Sequence, residues 1–212
     1  VSASSADFIE HRLWRSGYHH VGGADEAGRG PLAGPLVAGC VVLSPSFPLQ
    51  SVPDSKRISP TRRKALFEII CREAVAIGLS IVSERWIDLV GIQRANEFAL
   101  YEAAWRAIAA GRFEYLIVDW VRLPWSFTPV LALPRAEEQS LAVACAALVA
   151  KVVRDSIMEE WYDPLFPEYG FSQHKGYGTA LHFERIRAFG LAPCHRRSFC
   201  GQFGEAKERY TG

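Results

Sequence analysis

No run in the 212 residues approaches the ~20 uninterrupted apolar residues of a membrane-spanning helix. Val1–Arg12 carries no basic stretch followed by an apolar one, so it does not read as a secretory signal. Paired cysteines are missing too. Cys40, Cys71, Cys145, Cys194 and Cys200 are odd in number, scattered, and without a C-x-x-C spacing. That argues against a disulfide framework or a zinc site and for a reducing, cytoplasmic setting. There is no G-x-x-x-x-G-K-[ST] phosphate loop, internal repeat or low-complexity tract. The net charge is only +1, so the strongly basic stamp of many nucleic-acid binders is absent. Four local clusters remain: Lys56-Arg57, Arg62-Arg63-Lys64, His174-Lys175 and His195-Arg196-Arg197. Such stripes can meet phosphate while distant acids cancel the total, although each taken singly reads as a solvated face.

What is present is an ordinary globular composition, 49% apolar and 22% charged. Leu36–Leu43 reads as a buried strand ended by Ser44-Pro45-Ser46. Ser59-Pro60 starts a helix that keeps its spacing to about Ala76. Leu79–Val82 reads as a strand, Ile92 to Gly111 as a second helix, and Tyr115–Val118 as a strand delivering Asp119. Thr128–Leu133 reads as another strand, Ser140 to about Trp161 as a long helix, and Thr179–Phe189 as a last one stopped by Gly190. This order gives an α/β layered domain with a mixed sheet.

Asp25 and Glu26 are adjacent, Asp119 ends an apolar strand, and Glu137 and Glu138 follow the next apolar segment. Carboxylates that converge where strands end repel one another and are hard to keep ionised without a cation. Mg²⁺ and Mn²⁺ prefer such oxygen ligands. Two ions about 3.5–4 Å apart can activate water and stabilise the leaving oxygen in phosphodiester cleavage. Behind the acid pair, Gly28-Arg29-Gly30-Pro31-Leu32-Ala33-Gly34-Pro35 is too glycine-dense for a core strand. Its glycines allow close backbone approach to a ligand around a phosphate-capable Arg29. The spacing also fits a loose G-x-G-x-x-A dinucleotide pattern, but a strand follows instead of a helix, so that reading is discarded.

The stretch Gly23 to Pro35, GADEAGRGPLAGP, resembles the signature of type 2 ribonuclease H, the ribonuclease HII family. Further blocks match in order: Asp54-Ser55-Lys56 with Ile58-Ser59; Ile87-Asp88, Gly91-Ile92 and Ala95-Asn96; and Ala150 to Asp155. Phe166 to Phe171, His174 to Tyr177 and His195 to Phe199 follow. The resemblance implies a ribonuclease H-like mixed β-sheet flanked by helices. It implies a catalytic domain over 1–163 and a C-terminal helical extension over 164–212, packed as one unit. It implies Asp25, Glu26, Asp119 and Glu137 as catalytic metal ligands for two Mg²⁺ or Mn²⁺ ions. Gly28, Arg29 and Gly30 would sense the ribose 2′-hydroxyl, Tyr177 would stack on the sugar beyond the junction, and Ser55 and Lys56 would contact phosphate. The implied substrates are RNA/DNA hybrids and duplex DNA containing ribonucleotides, cut 5′ of the ribonucleotide by a monomeric enzyme.

The sequence departs from the family pattern at the fourth acid, where Glu137 stands for the usual Asp. The added methylene moves the carboxylate by ~1.5 Å, and errors of ~1 Å can cost about 100-fold in rate. The alternative reading is therefore a junction-binding protein with weakened catalysis. Glu138 is the rival ligand, but on a strand-like segment it would point away. Ala144 and Ala147 replace small polar residues, and Trp120-Val121 replaces a Gly-Asn continuation. All three make the pocket floor more apolar. Lys151 and Arg154 are left unassigned, with the solvent side of the long helix as their ordinary reading, and Trp120 and Trp125 read as packing or rim aromatics.

Overall fold

Strand β1 (Val21–Ala27) lies at the centre of a five-stranded sheet in the order β3-β2-β1-β4-β5. The computed structural model describes residues 8–48, 52, 58–121, 123–125 and 127–203. β1 runs antiparallel to β2 (Leu36–Leu43), which runs antiparallel to β3 (Ala76–Val82). On its other side β1 is parallel to β4 (Tyr115–Asp119), and β4 is parallel to β5 (Val130–Leu133). The register pairs Asp25 with Gly39 and Ala24 with Val118, which brings the ends of β1 and β4 side by side.

Both faces of the sheet are covered, and so β2 is apolar along its whole length instead of alternating. Leu36, Ala38, Cys40 and Val42 pack on α4 (Ile92–Ala110) through Ala95, Ala99 and Ala103. Val41 and Leu43 face α5 (Leu141–Ser156) and α2 (Pro60–Glu73) through Leu141, Ala146 and Ile70. β1 carries almost no side-chain bulk because α5 sits directly against it: a Cβ on Gly23 would lie 2.2 Å from the Val143 nitrogen.

The helix starts follow their caps. Ser59 Oγ accepts from the Arg62 N–H at 3.3 Å with Pro60 at the first helical position. Ser140 Oγ accepts from Val143 at 3.1 Å, and Thr179 Oγ1 accepts from His182 at 3.2 Å before α8 (Ala180–Phe189). Three expected boundaries move. The first long helix stops at Glu73, where Ala74 turns extended, and β3 begins at Ala76 instead of Leu79. The buried face of β3 is Ala76, Gly78, Ser80 and Val82, and its first three residues are too small to advertise the start of a strand. β5 begins at Val130 instead of Thr128. The long helix runs regularly to Ser156 and then widens into a π turn over Ile157–Tyr162. Helices α1 (Ile9–Arg15) and α3 (Glu84–Val90) carry no signal that the sequence analysis had read. Among the described residues no helix is long and apolar enough to cross a membrane.

Beyond the π turn come α6 (Asp163–Leu165), α7 (Phe171–His174) and α8. Tyr169, Phe171, Ile186 and Cys194 form a separate apolar cluster with Leu32 and Ala33 of the glycine loop and Met158. The last segment thus packs on the loop that follows β1. Gly23→Ala tests the close approach of α5: forcing the backbones apart should cost about 3 kcal/mol or more in urea unfolding, at the upper end for overpacked sites.

Candidate active site

Neighbouring residues on a strand point to opposite faces, and Asp25 and Glu26 divide accordingly. Asp25 shares the face of Gly23, toward α5, and Glu26 shares the face of Ala24, toward α4. Asp119 ends β4 beside them, and Glu137 lies on a one-turn 3₁₀ helix, Ala136–Glu138, just before α5. All four line one cavity of ≈ 1540 Å³. Burial pushes the Asp25 carboxyl well above its ordinary range, and the charges of Glu26, Asp119 and Glu137 push the same way. Burial also raises Glu26, against the opposing pull of Arg29.

Three of the four acids have an oxygen occupied by the protein. Asp25 Oδ1 accepts from the Glu26 N–H at 2.7 Å, Asp119 Oδ1 from the Ala136 N–H at 3.1 Å, and Glu26 Oε1 meets Arg29 Nη1 at 3.4 Å. Among the described residues no three His, Cys, Asp or Glu side chains form a ready-made metal cage. Two oxygens are nevertheless left over. Among the described residues, buried Glu26 Oε2 and Glu137 Oε2 find no hydrogen-bond partner. Asn96 from α4 is also buried and makes no hydrogen bond, although it lies near enough to favour ionised Glu26. Buried acceptors without donors, beside a carboxyl raised by like charges, are what a divalent cation satisfies. The residues fit such an ion.

The choice between Glu137 and Glu138 follows from the turn, not from strand alternation as the sequence suggested. Both line the cavity, but Glu137 is half-buried with a partnerless oxygen, whereas Glu138 is exposed and paired with Arg135 at 3.6 Å. The turn is held at both ends. Asp119 binds its first N–H, and buried Glu10 of α1 binds its exit: Glu10 accepts from Ser140 Oγ, from Leu141 N at 3.1 Å and from Ala142 N at 2.9 Å. A carboxylate there also complements the α5 dipole. Trp120, next to Asp119, is 73% exposed and left-handed at φ 52°. That conformation suits glycine, which is the residue the family pattern would place there.

The glycine loop is held by two arginines that the sequence reading had left on the surface. Both Arg154 and Arg196 are fully buried. Arg154 donates from Nε to Pro35 O (3.0 Å) and from Nη2 to Ala33 O (3.2 Å) and Lys175 O (3.0 Å). Arg196 donates to Gly34 O (2.9 Å) and Arg29 O (3.2 Å). Backbone bonds Leu32 N to Gly176 O and Arg196 N to Leu32 O complete the lattice. Gly28, at φ 99°, lies flat on Arg154, 2.2 Å from where a Cβ would stand. Arg29 and Gly30 remain exposed at the cavity rim. Tyr177 is 40% exposed there, its ring centroid 5.6 Å from Lys151 Nζ and 5.5 Å from Arg154 Cζ.

The structure therefore brings Asp25, Glu26, Gly28, Arg29, Gly30, Asp119, Glu137 and Tyr177 to one cavity, whose floor includes Ala144 and Ala147. Ser55 and Lys56 lie outside the described residues. Lys151, Arg63 and Lys175 also line the cavity, Lys151 bonding Asp155 at 2.8 Å. Trp125 is core, packed on Phe113 and Tyr101. Sequence reasoning missed Glu10 and the buried arginines. Glu10 has no local signal, but Arg154 falls among buried helix positions Leu148, Ala150 and Met158, and that spacing was the available clue.

The family model for ribonuclease HII matches residues 22–202. The chain belongs to the ribonuclease HII family. It is 42% identical over 193 residues to a Clostridioides difficile ribonuclease HII, covering 91% of this chain and 74% of that one. The ribonuclease H2 structure from Pyrococcus horikoshii is similar at TM-score 0.66 and 25% identity, over 84% of this chain and 93% of that one. A ribonuclease HIII in complex with Mn²⁺ shares the fold at TM-score 0.66 and 22% identity, over 93% and 70% of the two chains. The membership makes this chain an enzyme of the ribonuclease H class, with the mixed sheet and flanking helices of the family.

Two stability measurements check the site. Asp25 is raised in the folded state, so the unfolded chain holds fewer protons as pH climbs past its ordinary carboxyl range, and stability is lost through the folded pKa. Without divalent metal at neutral pH, Asp25→Asn should therefore raise the melting temperature by roughly 2–4 °C, the shift that about 1 kcal/mol brings at this size. The gain should vanish below the ordinary Asp range near 3.8. Glu10→Gln, which loses an acceptor and the charge at the α5 start, should cost about 1–2 kcal/mol in urea unfolding.

Proposed function

We propose that this protein is an endonuclease that hydrolyses the RNA strand of RNA/DNA hybrids. It also cuts 5′ of ribonucleotides embedded in duplex DNA, leaving 3′-hydroxyl and 5′-phosphate ends. The observation that carries this reading is the shared cavity, which the four acids line together with Gly28-Arg29-Gly30 and Tyr177.

Asp25, Glu26, Asp119 and Glu137 would hold two divalent ions, Mg²⁺ or Mn²⁺. The Mn²⁺ complex of a ribonuclease HIII with the same fold supports the metal type. Bound ions supply an activated water and charge stabilisation of the leaving 3′-oxygen. The protein's own share is placement. Asp25, facing α5 at the centre of the charge cluster, is the acid best sited to touch both ions. Glu26, on the opposite face, and Glu137, across the turn, each offer a buried oxygen with no other partner among the described residues. Arg29 presents backbone groups whose position is fixed from behind by Arg196, which suits a contact to the 2′-hydroxyl, the group that separates RNA from DNA. Tyr177 offers an aromatic face for the sugar beyond the junction. Arg63, Lys64, Lys151 and Lys175 supply positive charge for the phosphate backbone. Ser55 and Lys56 keep the phosphate-contact role that the resemblance gives them. The division into a catalytic part (1–163) and an appendage (164–212) belongs to the same proposal, as do monomeric action and a cytoplasmic site of action.

Cleavage of a DNA duplex bearing one ribonucleotide, with Mg²⁺ or Mn²⁺, is the test. The wild type should cut on the 5′ side of the ribonucleotide, Asp25→Asn should not cut detectably, and an all-DNA duplex should remain intact. A folded wild type that binds the duplex and never cuts it overturns the reading. Because Glu137 lines the cavity and keeps a buried, partnerless oxygen, Glu137→Asp should change kcat by less than about tenfold. A rise of about 100-fold, the size of a ~1 Å misplacement, would instead favour the junction-binding alternative.

A further inference from the structure

Three histidines meet behind Tyr177. The rings of His174 and His182 stack with centroids 4.3 Å apart, and His182 Nε2 lies 3.0 Å from His195 Nε2. All three are buried. Among the described residues they do not form a metal cage, and their contacts fix another role.

The contacts allow one set of tautomers. The Ala192 N–H points at His195 Nδ1 at 2.9 Å, so that nitrogen accepts and His195 carries its proton on Nε2. His195 Nε2–H then donates to His182 Nε2, which leaves the His182 proton on Nδ1. Nδ1–H donates to the carbonyl oxygen of Tyr177 at 2.9 Å. The reverse set would let His195 Nδ1–H reach Ala192 O at 3.2 Å. It would also turn that hydrogen against the Ala192 N–H and set a bare His182 nitrogen against the Tyr177 oxygen. Both ends of the chain thus select the same arrangement. His174 is fixed likewise: Gly176 N–H donates to its Nδ1 at 3.2 Å, and its Nε2–H donates to Tyr169 O at 2.9 Å. Burial, with the neighbouring rings, holds His182 near about 4 and His195 near about 3, so the rings stay neutral at working pH.

We propose that His182 and His195 are positioning residues for substrate discrimination: their fixed tautomer chain, anchored at Ala192, sets the backbone of Tyr177 and so the pose of its ring at the cavity rim. The chain joins the two motifs that flank α8, and the His195 backbone also bridges to Ala33 of the glycine loop. The inference rests on the role given to Tyr177 above.

The full-length protein labelled with ¹⁵N-histidine gives the first readout. At pH 7, long-range ¹H–¹⁵N spectra should show His182 protonated on Nδ1, and His174 and His195 on Nε2. The opposite tautomer at His182 or His195 overturns the proposal. Kinetics on the single-ribonucleotide duplex give the second. His182→Phe keeps a ring against His174 but removes both nitrogens. It should raise KM about tenfold, within the range for losing one stacking contact, with kcat within about twofold. His182→Asn, whose amide nitrogen can stand at the Nδ1 position, should recover most of the loss. Tyr177→Ala should raise KM similarly, and the double variant Tyr177→Ala with His182→Phe should add nothing further. Additive effects, or a folded His182→Phe with unchanged KM where Tyr177→Ala raises it, overturn this inference alone. A KM unmoved by Tyr177→Ala overturns the role of Tyr177 and this inference with it. Should His182→Phe not fold, the tautomers and His182→Asn decide.

Discussion

Two buried guanidinium groups, bonded to backbone carbonyls and in no ion pair among the described residues, hold this molecule's working parts together. Arg154 and Arg196 are buried, and the hydrogen bonds described above run from them to backbone carbonyls of the glycine loop and of Lys175. Burying a charge is costly unless dipoles replace its water. Here the carbonyls of Arg29, Ala33, Gly34 and Pro35 do so, and the arginines in turn give those carbonyls donors they would lack inside the protein. An arginine suits the task because its donors form a rigid fork and it stays charged even when burial draws it down, in the case of Arg196 to about 10. The loop is thus ordered by folding and not by ligand, which removes an ordering cost from binding.

The acids obey the opposite rule. They are gathered by strand register and by the turn before α5, against their mutual repulsion. Asp25 bears most of that conflict, because it is the most deeply buried and feels the other three. The protein donors that occupy one oxygen of each of Asp25, Asp119 and Glu26 keep the group in place, while the orphaned oxygens of Glu26 and Glu137 leave room for a cation. Stability and chemistry pull apart at this point, as is common for sites built to bind charge.

Much of this was legible in the residues. Ser59-Pro60 named a helix start, the valines of Leu36–Leu43 named a buried strand, and GADEAGRGPLAGP placed acid pair and loop together. What escaped has physical reasons. The inner face of β3 begins with Ala76, Gly78 and Ser80, so the start of the strand lacks the large apolar residues that mark one. Arg154 looked like surface because charge usually is, and only its spacing from Leu148, Ala150 and Met158 hinted otherwise. His195-Arg196 read as a basic patch, yet both side chains are buried, one in a ring chain and one in the loop lattice. Glu10 lies outside the matched span of the family, and its value depends on a helix start more than a hundred residues away. The 3₁₀ turn that separates Glu137 from Glu138 is set by Asp119 and Glu10, which local sequence does not encode.

That distance matters for the order in which the molecule comes into being. The bonds that hold the site join residues 131 apart at Glu10, 121 apart between Arg154 and Ala33, and 167 apart between Arg196 and Arg29. Closing loops of that length is slow compared with forming helices. A chain still leaving the ribosome carries Asp25 and Glu26 early, but with no turn to face them and no arginine behind the loop. The site is complete only once Arg196 has been made, 167 residues beyond the Arg29 it holds, and a copy that stops short of it lacks the bonds that order the glycine loop.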